Sequence, residues 1–265
     1  MCIRDRSYPL RLNAATLPNR FAHLLLKHPS LTDPKVNVVI LSGPGLNLLT
    51  LDALETLLAT LQNLGEKAFI IHGKGEVFSA GLDIKELIAA SPERVELWMD
   101  RLEAVVQRLF LHPAPTVAAI NGHAIAGGLL LALCCDCRIA TNAPNTRFGM
   151  TGVSLGLLYP PFVHAVVRSQ VPPPHAERLL LWAERFGPEE ALSRGLVHEL
   201  APPEKLMMYA EARLGQLQSL SPKAYRATKL EFREKAYEKA LQKYAEFRKQ
   251  WLPEWTKSLS GRSIE

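Results

Sequence analysis

The 265-residue chain has no uninterrupted apolar run of the roughly 18 residues that a membrane-spanning helix needs, its longest being residues 124–135. It lacks the Gly-Lys-Ser/Thr ending of a phosphate-binding P-loop, since Gly73-Lys-Gly75 is only an isolated G-x-G. The formal net charge is a modest +5, and acids are interleaved with the basic residues near the C-terminus. These absences argue against a membrane protein, a P-loop enzyme and a nucleic-acid-binding surface. We expect a cytoplasmic protein, or one of an organelle matrix if the source is eukaryotic.

Cysteine is also scarce, with four in the chain. Cys134, Cys135 and Cys137 fall in one predicted helix, too close together to bridge distant parts of a fold. A metal site would need a fourth ligand and usually a two-residue spacer, so we predict no metal and assign these side chains to core packing. The fourth cysteine lies within residues 1–6, which back-translate closely to a transposon end used in sequencing libraries. We interpret residues 1–6 as a sequencing artefact.

Strand and helix patterns alternate over most of the chain. Short β-branched segments predict strands, and apolar residues at helical spacing, preceded by Thr50 or Ser91 as caps, predict helices. Such alternation indicates an α/β fold with a largely parallel sheet. The predicted strands are residues 36–41, 67–72, 116–120 and 138–141, and the main predicted helices are 51–64, 91–111 and 127–135.

The C-terminal part has a different character, because strand patterns disappear after Pro202 and helical patterns dominate. An apolar stripe on a charged helix is spaced four, four, three and four residues apart, and it must pack on the core or on another subunit. Its members are Ala236, Ala240, Tyr244, Phe247 and Trp251. We therefore predict an α/β core over residues 7–200 and a helical region over residues 201–265.

Two glycine-containing segments stand out for their chemistry: Phe78-Ser-Ala-Gly-Leu-Asp-Ile-Lys85 and Ile120-Asn-Gly-His-Ala-Ile-Ala-Gly-Gly-Leu-Leu130. Each delivers a backbone turn to the start of a helix, where N–H groups lack helical partners and the helix dipole is positive. Gly81 leaves the Leu82 N–H available, and Gly127 opens the second helix. Two converging N–H donors suit an oxygen that gains negative charge, as in an oxyanion hole. The alternative interpretation is that the glycines only allow close packing.

Both motifs in this order, with Cys135-Asp-Cys-Arg-Ile-Ala140 and Phe148-Gly-Met150, resemble the crotonase superfamily of enoyl-CoA hydratases and isomerases. The resemblance runs from about Val36 to the C-terminus. It implies a spiral of ββα units, a helical C-terminal part used in trimerisation, and a homotrimer or dimer of trimers. It also implies acyl-CoA substrates, with no cofactor because coenzyme A belongs to the substrate. The stretch from Leu46 to Leu51, and Leu82, look more like the double-bond isomerases than the hydratases.

The resemblance also implies site residues. The Leu82 and Gly127 N–H groups would form the oxyanion hole. The substrate and CoA site would include Ala80, Gly81, Leu82, Asp83, Ile84, Lys85, Gly127, Gly128 and Gly152. From its place after a donor turn, Asp83 is also interpreted as a helix cap.

The two carboxylates that the family's hydratases use are missing. Those enzymes carry one glutamate two residues after the glycine pair and another three residues before a Leu-Gly, positions held here by Leu130 and Gly152. The isomerases dispense with the first and keep the second. Neither leucine nor glycine can accept a proton.

Three hypotheses remain open. The first is an isomerase-like enzyme with another proton carrier, and the second is a catalytically silent acyl-CoA-binding protein. The third is decarboxylase or hydrolase chemistry with Tyr159, because a family decarboxylase has a tyrosine at the matching place. The alternative for Tyr159 is a structural wall residue whose hydroxyl is bonded to the backbone. His123 and His164 are interpreted as structural, with a catalytic base as the alternative, and Asp136 is expected to pair with Arg138.

Overall fold

The computed structural model describes residues 36–250 and 252–254, so the predictions for residues 1–6 and for the start of the core at residue 7 lie outside it. The main sheet has five parallel strands in the order β1-β2-β3-β5-β7. A second layer contains the parallel pair β4 and β6. The strands are β1 Asn37–Leu41, β2 Phe69–Gly73, β3 Thr116–Ile120, β4 Ala124–Ile125, β5 Cys137–Thr141, β6 Phe148–Gly149 and β7 Glu199–Ala201.

Helices follow the strands in the predicted alternation. Thr50 and Ser91 are confirmed as N-caps, since their hydroxyls accept hydrogen bonds from the N–H groups of Ala53 and Arg94. The helices are α1 Leu51–Leu64, α2 Ile84–Ala89, α3 Pro92–Phe110, α4 Gly127–Cys134, α5 Pro161–Gln170, α6 Pro173–Leu181, α7 Pro188–Ser193, α8 Leu206–Gln218 and α9 Pro222–Gln250. A turn with non-helical backbone angles at Gly45 and Leu46 occupies Pro44–Asn47, and single 3₁₀ turns occupy Val153–Leu155 and Pro203–Lys205. Within the described ranges, no helix has both the length and the apolar character needed to cross a bilayer.

The second layer explains the spiral. After each of β1, β2, β3 and β5 the chain crosses into this layer before it enters a helix. There the segments pair in sequence order through β4 and β6 and through single bridges that join Leu49 to Leu82, Ser79 to Ala124, and Phe148 to Phe186. A strand in each layer followed by a helix is a ββα unit, so the predicted spiral of such units is confirmed.

The C-terminal helices α8 and α9 follow the last strand, and residues 202–250 and 252–254 contain no strand. The buried face of α9 includes Tyr244, Phe247 and Ala240 as predicted. Ala236 is exposed, however, and Tyr237 is fully buried in its place. The prediction missed this because the stripe continues toward the N-terminus through two charged residues, Lys229 and Arg233, which hydrophobic spacing cannot detect. The side chain of Trp251 lies outside the described residues.

The predicted pairing of Asp136 with Arg138 is wrong. Asp136 lies just after α4 rather than within it, and its Oδ1 is 2.8 Å from Lys229 Nζ and 3.0 Å from an Arg233 guanidinium nitrogen. Arg138 instead donates from Nε to the Leu196 carbonyl at 2.7 Å. Proximity in sequence suggested the wrong partner because α9 brings its cations to Asp136 from about ninety residues away.

The cysteines do not share one helix, contrary to the prediction. Cys134 ends α4, Cys135 follows it, and Cys137 begins β5. All three are buried free thiols. Burial raises the pKa of Cys135 to about 12 and that of Cys137 to about 11, so these thiols stay protonated at neutral pH. They pack as small hydrophobic side chains, as the sequence predicted.

His112 should make folding stability depend on pH. The side chain is 1% exposed, and its Nε2 lies 2.9 Å from the Lys67 carbonyl oxygen, to which a neutral ring donates. Burial, together with the charges of Lys229 and Arg108, lowers the pKa of His112 from 6.5 to about 4. Because the unfolded chain binds the proton more readily, the stability from His112 is complete above pH 6.5. It is lost as the pH falls toward 4.

Urea unfolding at pH 7 and pH 4 checks this expectation. His112 should account for about 3 kcal/mol of the unfolding free energy lost over that interval, from about 1.4 kcal/mol per pKa unit. His112→Gln keeps an amide donor but cannot titrate, so its stability should fall less steeply with acid than that of the unsubstituted protein. Equal pH slopes for the two proteins would contradict the assignment.

Candidate active site

A cavity of about 380 Å³ opens between the second layer and helices α3 and α5. Its wall is mostly apolar, and no aspartate or glutamate of the described ranges is among the residues that line it. Leu130 and Gly152, the positions where the resemblance leads one to expect glutamates, both face this cavity. The deeper wall is formed by side chains such as Met99, Leu102 and Val163.

Two backbone N–H groups lie together at the cavity wall. Gly81 has a φ of +91°, and a Cβ added to it would lie 3.0 Å from the Gly127 nitrogen and 2.8 Å from the Ile125 carbonyl oxygen. Only glycine therefore allows the two turns to approach so closely. Within the described residues, neither the Leu82 N–H nor the Gly127 N–H donates a hydrogen bond. Both N–H groups are free to bind a ligand oxygen.

Asn47 holds the first turn in place. This buried residue has a φ of +52°, and its Nδ2 donates to the carbonyls of Val77 at 2.7 Å and Lys74 at 2.8 Å. Ser79 Oγ donates to the Asn47 carbonyl at 2.8 Å and accepts the Gly81 N–H at 3.1 Å. Sequence reasoning missed Asn47, although a lone asparagine in a leucine-rich stretch is a signal, because asparagine tolerates the left-handed conformation.

The second turn is held by its own strained residue. Ala126 has a φ of +47°, unusual for a residue with a side chain, and its N–H donates to the Gly149 carbonyl at 2.7 Å. Gly128 packs directly against Ser79, where an added Cβ would lie 2.2 Å from the carbonyl oxygen. Glycine at 128 thus serves the close packing of the two turns, while Gly127 presents its N–H.

The structure places some of the predicted binding residues in the wall of the cavity, and others are not part of that wall. Those that line it are Ala80, Leu82, Ile84, Gly127 and Gly152, whereas Gly81, Asp83, Lys85 and Gly128 do not. The interpretation of Asp83 as a cap is confirmed, since its carboxylate accepts the Glu86 N–H at 3.1 Å at the start of α2.

Tyr159 also lines the cavity and lies against Gly152. Its hydroxyl oxygen accepts the Gly152 N–H at 2.8 Å. Burial raises the pKa of Tyr159 above its usual value of 10, even though this N–H favours the ionised form. The phenol is therefore neutral at physiological pH and can donate a hydrogen bond but cannot act as a base.

Of the two histidines considered from the sequence, His123 lines the cavity and His164 does not. The Nδ1 of His123 accepts the Arg147 N–H at 3.0 Å, so a neutral ring carries its proton on Nε2. The ring of His164 stands edge-on to Tyr159, 6.3 Å between centroids. Arg147 and Arg185 line the cavity as well, and sequence reasoning missed them because neither belongs to a motif.

Comparison with known proteins agrees with this architecture. The enoyl-CoA hydratase/isomerase family model matches residues 32–263. The chain is 31% identical over 199 residues to human mitochondrial enoyl-CoA delta isomerase 1, covering 73% of this chain and 66% of that protein.

Solved structures show the same fold. That of human mitochondrial Δ3-Δ2-enoyl-CoA isomerase has a TM-score of 0.76 and 27% identity, covering 86% of this chain and 93% of that one. An enoyl-CoA hydratase from Mycobacterium marinum has a TM-score of 0.75 and 26% identity, covering 83% and 96%. Since the family model spans nearly the whole chain and the structures share its fold, this protein belongs to the enoyl-CoA hydratase/isomerase family of the crotonase superfamily.

Proposed function

We propose that the protein binds an acyl-CoA thioester in the cavity and stabilises the enolate of its acyl group, in the manner of a double-bond isomerase. The pair of free N–H groups at Leu82 and Gly127 is the observation that supports this function. A thioester carbonyl oxygen that accepts both hydrogen bonds is stabilised as negative charge develops on it. The chain is about as similar to proteins named enoyl-CoA hydratase as to human enoyl-CoA delta isomerase 1. The isomerase is favoured between the two because hydration would need both of the carboxylates that are missing here.

In isomerisation of a 3-enoyl thioester, a proton leaves C2 and its electron pair moves toward the carbonyl oxygen. The resulting dienolate then takes a proton at C4, which moves the double bond into conjugation. The apolar wall around Met99, Leu102 and Leu130 suits the acyl chain. With no carboxylate in this wall and with Tyr159 unable to act as a base, His123 is the side chain of the described lining that remains to carry the proton from C2 to C4.

Decarboxylation of a 2-carboxyacyl thioester is the second candidate, favoured by the neutral phenol of Tyr159 and by a lining in which the described residues include no aspartate or glutamate. The bond between Cα and the carboxylate breaks, carbon dioxide leaves, and the electron pair forms the enolate. The phenol then gives its proton to Cα and regains one from water. This sequence needs the two N–H donors but no base to start it.

Steady-state assays with 3-enoyl, 2-enoyl and malonyl-type CoA thioesters test the proposal. Turnover of the 3-enoyl substrate supports the isomerase. Turnover of the malonyl-type substrate that Tyr159→Phe abolishes supports the decarboxylase. Binding measured by calorimetry without turnover of any substrate would identify a catalytically silent acyl-CoA-binding protein. A protein that neither bound nor turned over any of these thioesters would overturn the proposal.

A further inference from the structure

The backbone conformation at position 152 does not require glycine. Its φ of −58° and ψ of −42° are right-handed helical values that every residue adopts readily. Some contact with a neighbour must therefore explain why no side chain stands at a position that faces the cavity.

That neighbour is Tyr159. A Cβ added to Gly152 would lie 2.8 Å from Cε1, 3.0 Å from Cζ and 3.0 Å from the hydroxyl oxygen of Tyr159. Real Cβ atoms essentially never show the 2.8 Å contact, and the two contacts at 3.0 Å are tighter than nine in ten, so the Tyr159 ring would have to shift. The ring cannot swing aside without cost, because its hydroxyl accepts the Gly152 N–H and its ring packs in a T-shaped arrangement with that of His164.

We propose that positions 152 and 159 are mutually exclusive and together determine the chemistry of the cavity. With tyrosine at 159, only glycine fits at 152, and the wall presents a phenol that donates a hydrogen bond. A carboxylate at 152 is admitted only when the residue at 159 is small. The exclusion rests on packing alone, whereas its consequence for reaction type rests on the proposed function.

The exclusion also changes the expected result of restoring the missing acid. Gly152→Glu alone forces the new side chain into the Tyr159 ring, so it costs stability without placing a carboxylate correctly. Gly152→Glu combined with Tyr159→Ala removes the obstacle and opens space for the carboxylate beside the cavity. Tyr159 is thus a specificity-determining residue whose size decides which proton-transfer group this wall can carry.

A double-mutant cycle in thermal melts tests the exclusion without any assumption about ligand. Gly152→Ala should lower Tm by roughly 5 °C when Tyr159 is present, as expected for overpacking in a protein of this size. In a Tyr159→Ala background the same change should lower Tm little or not at all. Gly215→Ala is the matched control, because a Cβ added there meets nothing within 4 Å and should cost nothing in either background. Equal losses from Gly152→Ala in both backgrounds would overturn the exclusion.

A turnover assay tests whether positions 152 and 159 determine the reaction. With a 3-enoyl-CoA substrate, the Gly152→Glu/Tyr159→Ala variant should turn over at least about 10²-fold faster than Gly152→Glu, the contribution of one positioned acid–base group. Turnover by both variants at equal, measurable rates would reject the exclusive pair. If the thermal melts show that the effects at positions 152 and 159 depend on each other, but the double variant does not turn over the substrate, the exclusion by packing is supported. Isomerisation is then rejected as the reaction.

Discussion

Replacing Gly127 with proline should lower kcat by about 10²–10³-fold for whichever thioester is turned over, the effect of losing one oxyanion donor. Proline removes the N–H that faces the cavity and places its Cδ on that nitrogen, so the donor and part of the space for the oxygen are lost together. Gly127 is the first residue of α4, where an N–H has no helical partner and proline is well tolerated. The loss should appear in kcat, because the hydrogen bond strengthens as charge develops in the transition state.

Gly127→Ala is the matched control for that experiment. Both substitutions add a Cβ, which would lie 2.9 Å from Leu49 Cδ1, the end of a flexible side chain, but alanine keeps the N–H. The ratio of the two variants' kcat values therefore separates the replacement of the N–H by a ring carbon from the crowding that the Cβ causes. Circular dichroism and thermal melts show whether both variants fold alike. If the folded proline and alanine variants turn over at the same rate, the Gly127 N–H does not bind the substrate oxygen.

Local signals in the sequence were enough to predict much of the fold and the two donor turns. The caps at Thr50, Asp83 and Ser91 depend on a hydrogen bond to a residue three positions ahead, so a short window contains both partners. The turns at Gly81 and Gly127 likewise depend on which residues can adopt the backbone or approach it closely.

The remaining features of the fold and the site depend on contacts between distant segments. A single sequence does not show which of those segments meet. Asn47 bonds to carbonyls about thirty residues away, and its role is visible only once the loops are folded together. The obstruction of Gly152 by Tyr159 spans only seven residues, yet it depends on the path of the intervening turn. The partners of Asp136 lie on α9, where cations occupy a buried face that the apolar stripe did not predict.

Replacing Asp136 with asparagine should lower the free energy of unfolding by about 3–5 kcal/mol, the cost of removing one partner from a buried ion pair. Asparagine keeps the size of the side chain and can still accept the Thr116 N–H, which lies 2.8 Å from Oδ2. What it removes is the charge that balances Lys229 and Arg233, both less than 9% exposed. Burial alone would raise the pKa of Asp136, but these two cations outweigh it and hold that pKa below the usual 3.8. The stabilisation is therefore present above about pH 4 and is lost in stronger acid.

The loss should also affect the cavity, because the same cluster contacts the C-terminal end of α4, the helix that begins at Gly127. Arg233 donates to the carbonyls of Phe110 at 2.9 Å and Cys134 at 3.2 Å, which end α3 and α4, while Gly127 begins α4. Urea unfolding measures the effect, with Glu231→Gln as the control. Glu231 meets Lys235 at 3.5 Å with both side chains at least 75% exposed, so its removal should change stability by less than about 0.5 kcal/mol. Adding Lys229→Met to Asp136→Asn should restore part of the loss by removing one unpaired cation. An Asp136→Asn variant as stable as the control would show that packing, rather than this charge, anchors α9.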